Sequence, residues 1–244
     1  MSEERSGTFM AGLALAIGIV IATVIGGWFF VKGKRGDQTI TVTGSAKQRI
    51  TSDLVIWRAG VSYQAPALAD AYRSLSEAVP KVKTYMVSKG IPENQITISA
   101  ISSQTLHGRT SDGAETAEIT GYSLRQELEV RSSEVEKIAK IARESTELIN
   151  QGILIESIAP EYHYTKLGDL KIEMLAAAAK DAKERATKIA ESTGSSIGSV
   201  RTARMGVLQI TPADSNDVSD SGMNDTSSLT KDITAVVNIG FAVD

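Results

Sequence analysis

The chain has 244 residues, 42% hydrophobic, 23% charged and 5% aromatic, with no cysteine, two histidines and a formal net charge of −3. That length supports one large or two small domains with a substantial core. The missing cysteine excludes disulfides, thiolate metal sites and a cysteine nucleophile. His107 and His163 alone cannot build a multi-histidine zinc site, and a slightly acidic chain lacks the basic surface that a nucleic-acid partner needs.

The first feature in chain order is a stretch of 23 uncharged residues from Phe9 to Val31, after a short tail (1–8) carrying Arg5 and before a basic linker (32–37) with Lys32, Lys34 and Arg35. As a helix this stretch would be about 34 Å long, against a hydrocarbon core of about 30 Å. Trp28, Phe29 and Phe30 stand where an interfacial aromatic belt is expected. The spacing predicts a transmembrane helix. The run is too long for a signal peptide and its exit lacks an A-x-A pattern, so a retained anchor is expected. Within it Ala14, Gly18, Ala22 and Gly26 recur every fourth residue, a small-residue stripe suited to close helix–helix packing. The basic residues follow the span, and by the positive-inside rule alone the C-terminal domain would be cytoplasmic.

Without the tail, span and basic residues through Arg35, 22 basic and 27 acidic residues remain, a net charge of −5. Within the part after Arg35, residues 38–244 read as one α+β domain of antiparallel β-hairpins packed with helices, in the order ββα-ββα-βα-ββ. Strands are predicted over Thr39–Thr43 and Leu54–Gln64, the second with Val55, Trp57, Ala59 and Val61 on one face. Leu68, Ala71, Tyr72, Leu75, Val79, Val82 and Met86 then keep helical spacing up to Gly90, with Pro80 predicting a kink. Strands follow over Gln95–Leu106 and Glu118–Val130, joined by a polar connection over Gly108–Glu115. Ser133 and Glu136 have the spacing of a capping box, opening a helix that ends at Gly152. A strand from Ile153 to Tyr164 leads to a long helix, Leu167–Ser192, with Ala178, Ala182, Ala186 and Ile189 on a thin stripe, Glu184 and Lys188 as an i,i+4 pair, and Gly194 as its cap. Strands over Val200–Ile210 and Ile233–Val243 finish the domain. Between them 213–229 reads as a flexible polar loop.

Several phrases recur in an ordered series: Ile40-Thr41-Val42-Thr43-Gly44, Gly90-Ile91-Pro92 before Gln95-Ile96-Thr97, Gly121-Tyr122-Ser123-Leu124, Ala177 to Ala182, and Ala190-Glu191-Ser192-Thr193-Gly194 before Gly198-Ser199-Val200. In order and spacing they resemble the SIMPL-domain family over residues 38–243. The resemblance implies an exported envelope protein, with links to oxidative-stress tolerance among relatives and a large hollow ring of subunits in at least one. It places the C-terminal domain outside the cytoplasm, against the positive-inside reading, and supplies no catalytic motif.

The residues themselves offer little chemistry. Tyr162 and Lys166, like Tyr85 and Lys89, have the spacing of a short-chain dehydrogenase dyad, but no glycine-rich dinucleotide loop accompanies either pair. His163 reads as a half-exposed strand residue. Asp214, Asp217, Asp220 and Asp225 form a candidate interaction loop without the spacing of a calcium-binding EF-hand. No catalytic, cofactor-binding or metal-ligating residue is assigned, and no enzyme is expected. The expected partners are further copies of the chain, the lipid bilayer and an envelope protein of unspecified identity. The expectation is a single-pass inner-membrane protein with a periplasmic domain, self-assembling as a scaffold. The alternative is a periplasmic binding module or chaperone for small molecules or damaged proteins.

Overall fold

The computed structural model describes residues 15–28 and 38–243 of the chain. Helix α1 covers 15–28, with every described side chain exposed; Gly18, Ala22 and Gly26 lie on it, and Ala14 lies outside the described residues. A Cβ added at Gly18 or Gly26 would meet nothing within 4 Å. Among the described residues no helix is long and apolar enough to cross a membrane. The outer parts of the expected span, 9–14 and 29–31, lie outside them.

The remaining elements are β1 (Thr39–Thr51), β2 (Leu54–Ala65), α2 (Leu68–Ser88), β3 (Ile96–Ile98), β4 (Ser102–Arg109), β5 (Glu115–Ser132), α3 (Val135–Glu144), β6 (Ile155–Ser157), β7 (Glu161–His163), α4 (Leu167–Ser192), β8 (Ile197–Met205), β9 (Gln209–Pro212), β10 (Met223–Asn224) and β11 (Thr230–Val243). The class is α+β, and the strand pairs are antiparallel apart from β9 with β10. The chain divides into two compact units: Met1–Ala46 with Glu173–Val207 and Ala235–Asp244, and Lys47–Ile172 with Leu208–Thr234.

In the first unit β8 runs antiparallel to the second half of β11. Helix α4 presents Ala178, Ala182, Ala186 and Ala190, all fully buried. Gly44 of β1 lies against this stripe: a Cβ there would sit 2.3 Å from the Ala178 carbonyl oxygen and 2.4 Å from the Ala182 nitrogen. Small residues on the helix and a glycine on the strand thus permit backbone-to-backbone approach. The fourth member of the stripe is Ala190 rather than Ile189, which is exposed. Helix α4 ends as expected at Gly194, in the left-handed region, where the Gly194 N–H donates to the Glu191 carbonyl and the Ser195 N–H to that of Ala190. Lys188 closes on Glu191 at i,i+3 and Glu184 on Lys180, instead of on each other.

In the second unit a six-stranded sheet has the order β3-β5-β2-β6, with β4 beside β5 and β7 beside β2. Val55, Trp57, Ala59 and Val61 of β2 are fully buried among Leu75, Val82 and Met86 of α2 and Leu128, Val130 and Ile138. Helix α2 continues through Pro80 as α-helix.

Three expected strands are each broken in two, for local reasons. Between β3 and β4 the Ser99 hydroxyl accepts the Glu127 N–H at 3.0 Å, replacing a ladder bond by a side-chain one. Pro160, which has no N–H, separates β6 from β7. Between β8 and β9 the Gly206 N–H still donates to the Val236 carbonyl in the β8–β11 register, and pairing with β11 resumes one residue out of step at Gln209 opposite Thr234. The capping box is also absent. Helix α3 has Glu134 as its N-cap without a side-chain cap, and the Ser132 hydroxyl accepts the Glu134 N–H at 3.2 Å. The helix starts one residue later than the box requires, which puts Ser133 out of reach of the N3 amide. After α3, residues Ser145–Gln151 tighten into 3-10 helix up to Gly152.

Candidate functional site

The densest unexpected chemistry lies in the second unit, at the start of β11. Lys231 and Asp232 are consecutive in a strand, so their side chains leave on opposite faces, yet they are only 2% and 1% exposed. Two adjacent opposite charges, both buried, each need compensation on their own side of the sheet.

On one face, Asp232 collects donors from three directions. Arg49 Nε donates at 2.9 Å, Arg49 Nη2 at 3.2 Å and the Asp214 backbone N–H at 3.0 Å, while Lys47 Nζ stands 3.0 Å away. Hydrogen bonding from Arg49 first, then from Asp214 and Lys47, holds the Asp232 carboxyl well below the usual carboxylate range. The Asp214 carboxylate also pairs with Arg49, and its backbone adopts φ +65° to bring both groups to the cluster.

On the other face, Lys231 Nζ donates to the Tyr162 carbonyl at 2.6 Å and also to that of Asp225. Burial lowers the Lys231 pKa and the nearby Asp225 charge partly restores it. Burial works against the Asp225 carboxylate too, but the Ser227 hydroxyl, the Ser227 N–H and the Ser228 N–H outweigh it and hold Asp225 below the usual range. Lys231 thus ties β7 and the 213–229 segment to β11. Beside it is a cavity of about 60 Å³, lined by Lys231, Tyr162, His163, Tyr164 and Asn224 between apolar Ile50 and Ile210. Pockets for small-molecule substrates run to several hundred Å³, so this space suits only water-sized occupants.

The expected interaction loop is therefore fastened in place. Met223 and Asn224 pair with Gln209 and Ile210 as a short parallel bridge, and the Asp225 N–H donates to the Ile210 carbonyl. Its four aspartates do not converge. Asp214 serves Arg49, Asp217 accepts from the Ser215 hydroxyl, Asp220 is exposed, and Asp225 organises its own turn. Among the described residues no three His, Asp or Glu side chains stand close enough to hold a metal ion. His163 is half-buried with Nε2 3.4 Å from Glu161 Oε2.

The two Tyr-x-x-x-Lys pairs separate clearly. Tyr162 contributes its backbone to the Lys231 contact. Tyr85 and Lys89 do meet, with the ammonium 5.1 Å from the ring centroid, but the Tyr85 hydroxyl donates to Glu147 at 2.7 Å. Burial and that carboxylate push the Tyr85 pKa up to about 12, opposite to what a proton-abstracting tyrosine requires.

The Lys231–Asp232 pair escapes sequence reading because two charges ahead of the apolar run Ile233–Val243 look like the end of a loop. Their compensating groups include Arg49 and Tyr162, 183 and 69 residues away, beside Asp225 only six positions back.

The fold and this site define an α+β domain whose buried charges fasten strands and a long loop, without a substrate-sized cavity beside them. Residues 40–241 match the SIMPL family, described as a protein family of unknown function (DUF541), and the chain belongs to that family. It is 33% identical over 116 residues to the 26 kDa periplasmic immunogenic protein of Brucella melitensis biotype 1, and equally to that of Brucella abortus strain S19. The match spans less than half of either side, 46% of this chain and 46% of each relative. A putative amidohydrolase/peptidase from Burkholderia cenocepacia aligns over 49% of this chain and 30% of its own, at 14% identity and a TM-score of 0.23, too low to inform fold or activity.

Proposed function

We propose that the protein is an envelope component held at the inner membrane by the 9–31 segment, with its SIMPL domain in the periplasm, and that it self-assembles into a ring-like homo-oligomer with a scaffolding role. The observation that carries assembly is β8. From Ser199 to Met205 every residue is exposed, so both faces of the strand are open, and β8 pairs only with β11 among the described residues. Unprotected edges of this kind call for a covering partner. That the Brucella relatives are periplasmic proteins supports the compartment, and the length of the uncharged stretch supports the anchor.

Two measurements test the reading. The mass of the detergent-extracted full chain is expected to be a large multiple of 26.0 kDa; a monodisperse monomer at micromolar concentration refutes assembly. A reporter fused after Asp244 is expected to be active only outside the cytoplasm, and cytoplasmic activity refutes the placement.

A further inference from the structure

Strand β4 and the outer part of β5 form a two-stranded ribbon. Beyond the Ala65–Tyr122 pair, β5 has left its partner β2, and residues 115–121 pair only with β4 among the described residues. The ribbon is exposed almost throughout, from Ser102 to Thr120, and Ile119 is 53% exposed. Two-stranded ribbons are marginal in water without a third strand or a packed face. Gly108 permits the close approach of its two strands, since a Cβ there would lie 2.8 Å from the Thr116 hydroxyl. The devices that usually protect an edge are few: neither Lys nor Pro occurs between Ser102 and Thr120, and the bulges are confined to the outer part, after Leu106.

Strand β8 has the complementary character. It too lacks Lys and Pro, and it exposes Val200 and Met205 at 55% and 65%. Its charges are Arg201 and Arg204, and no acidic residue occurs between Glu191 and Asp214. The ribbon carries Asp112, Glu115 and Glu118 against the single Arg109. One edge is acidic with exposed isoleucine, the other basic with exposed valine and methionine.

We propose that the β4–β5 ribbon of one copy adds to the free edge of β8 of a second copy, so that assembly is head-to-tail through strand addition. This rests on the self-assembly reading above and names its interface. Two different surfaces meeting in this way form a heterologous contact, which propagates from copy to copy and closes into a ring where the rotation allows. Main-chain hydrogen bonds supply the pairing, and the charges and apolar side chains select the partner.

The chain contains no cysteine, which makes a cross-linking test clean. Full-length Ser103→Cys, Gln104→Cys, Thr116→Cys or Ala117→Cys protein is mixed in mild detergent with Arg201→Cys or Thr202→Cys protein, the six variants sampling both faces of β4, of the outer part of β5 and of β8. Oxidation is expected to give a mixed disulfide in at least one combination, at least tenfold more than either variant forms with itself. In parallel, Arg201→Glu with Arg204→Glu is expected to lower the assembled fraction at least tenfold, and adding Glu115→Arg with Glu118→Arg in the same chain to restore it. Circular dichroism confirms that each variant is folded. Assembly of the unmodified chain without mixed disulfides, and unaffected by charge reversal, overturns this interface while leaving self-assembly standing. A monomeric unmodified chain overturns both.

Discussion

Replacing Gly44 with alanine tests the close contact between β1 and α4. The new methyl would lie 2.3 Å from the Ala178 carbonyl oxygen, 2.4 Å from the Ala182 nitrogen and 2.6 Å from the Ala182 Cβ. The first two atoms are the acceptor and donor positions of one helical i,i+4 hydrogen bond, and neither can swing aside as a side-chain tip can. The strand and helix must separate by roughly 1 Å, which pulls fully buried Ala178, Ala182 and Ala186 out of contact. Overpacking against yielding neighbours costs about 1–3 kcal/mol, and against backbone the upper end applies, so about 3 kcal/mol is expected. With a urea slope of about 2.5 kcal/mol/M for a domain of this size, the unfolding midpoint should fall by about 1 M. Gly60→Ala is the matched control. Its methyl would meet the Arg125 guanidinium at 2.4 Å, a crowding that a flexible side chain can relieve, and the expected loss is under about 1 kcal/mol. Urea titrations of the full chain in detergent, followed by far-ultraviolet circular dichroism, measure both. Equal midpoints for the two variants would refute the backbone-contact argument.

Other consequences follow from the same structure. Lys231→Met removes the donor to the Tyr162 and Asp225 carbonyls and should cost about 2 kcal/mol after the relief of burying an ammonium, with faster proteolytic cleavage in 213–229; an unchanged cleavage rate would contradict the fastening role. Ser132→Ala should cost about 1 kcal/mol and Ser133→Ala almost nothing, the reverse of what the capping-box spacing implies, as read from their thermal midpoints. Trp57→Phe loses the 3.0 Å bond from Nε1 to the Ser157 hydroxyl and should cost about 1 kcal/mol in urea titration. Asp53, held down against burial by the Thr165 hydroxyl and N–H at 2.7 Å, has like Asp225 and Asp232 a folded pKa below its unfolded one, so their stabilisation is complete above about pH 5 and is lost as pH falls through 4 and below. The urea midpoint should therefore drop between pH 5 and 3, and Asp232→Asn should flatten that drop; an undiminished slope in the variant would remove Asp232 from the account.

Much of the fold is legible in the sequence because it is written in local periodicity. The alternation Val55, Trp57, Ala59, Val61 predicts the buried face of β2, and the helical spacing from Leu68 to Met86 predicts α2. The alanine stripe and Gly194 predict α4 and its C-terminal cap. The broken strands are less legible, since Ser99 interrupts its ladder by accepting from the Glu127 N–H, 28 positions away, and β9 resumes pairing with β11 one residue out of step with β8. The charge cluster is not legible at all. Arg49, Asp214 and Asp232 stand 165 and 183 residues apart in their pairings, and a single sequence carries no sign of such a meeting.

By itself, then, the sequence determined the α+β class, the principal helices, the buried face of β2 and the 23-residue uncharged stretch, because each depends on the spacing of side chains a few residues apart. Only the tertiary structure decided that Lys231 and Asp232 are buried strand residues, that the 213–229 segment is fastened to β9 and β11, and that among the described residues the β4–β5 ribbon and β8 are left open. Burial of a charge depends on partners brought from distant parts of the chain, and an open edge is defined by which strand the fold does not supply.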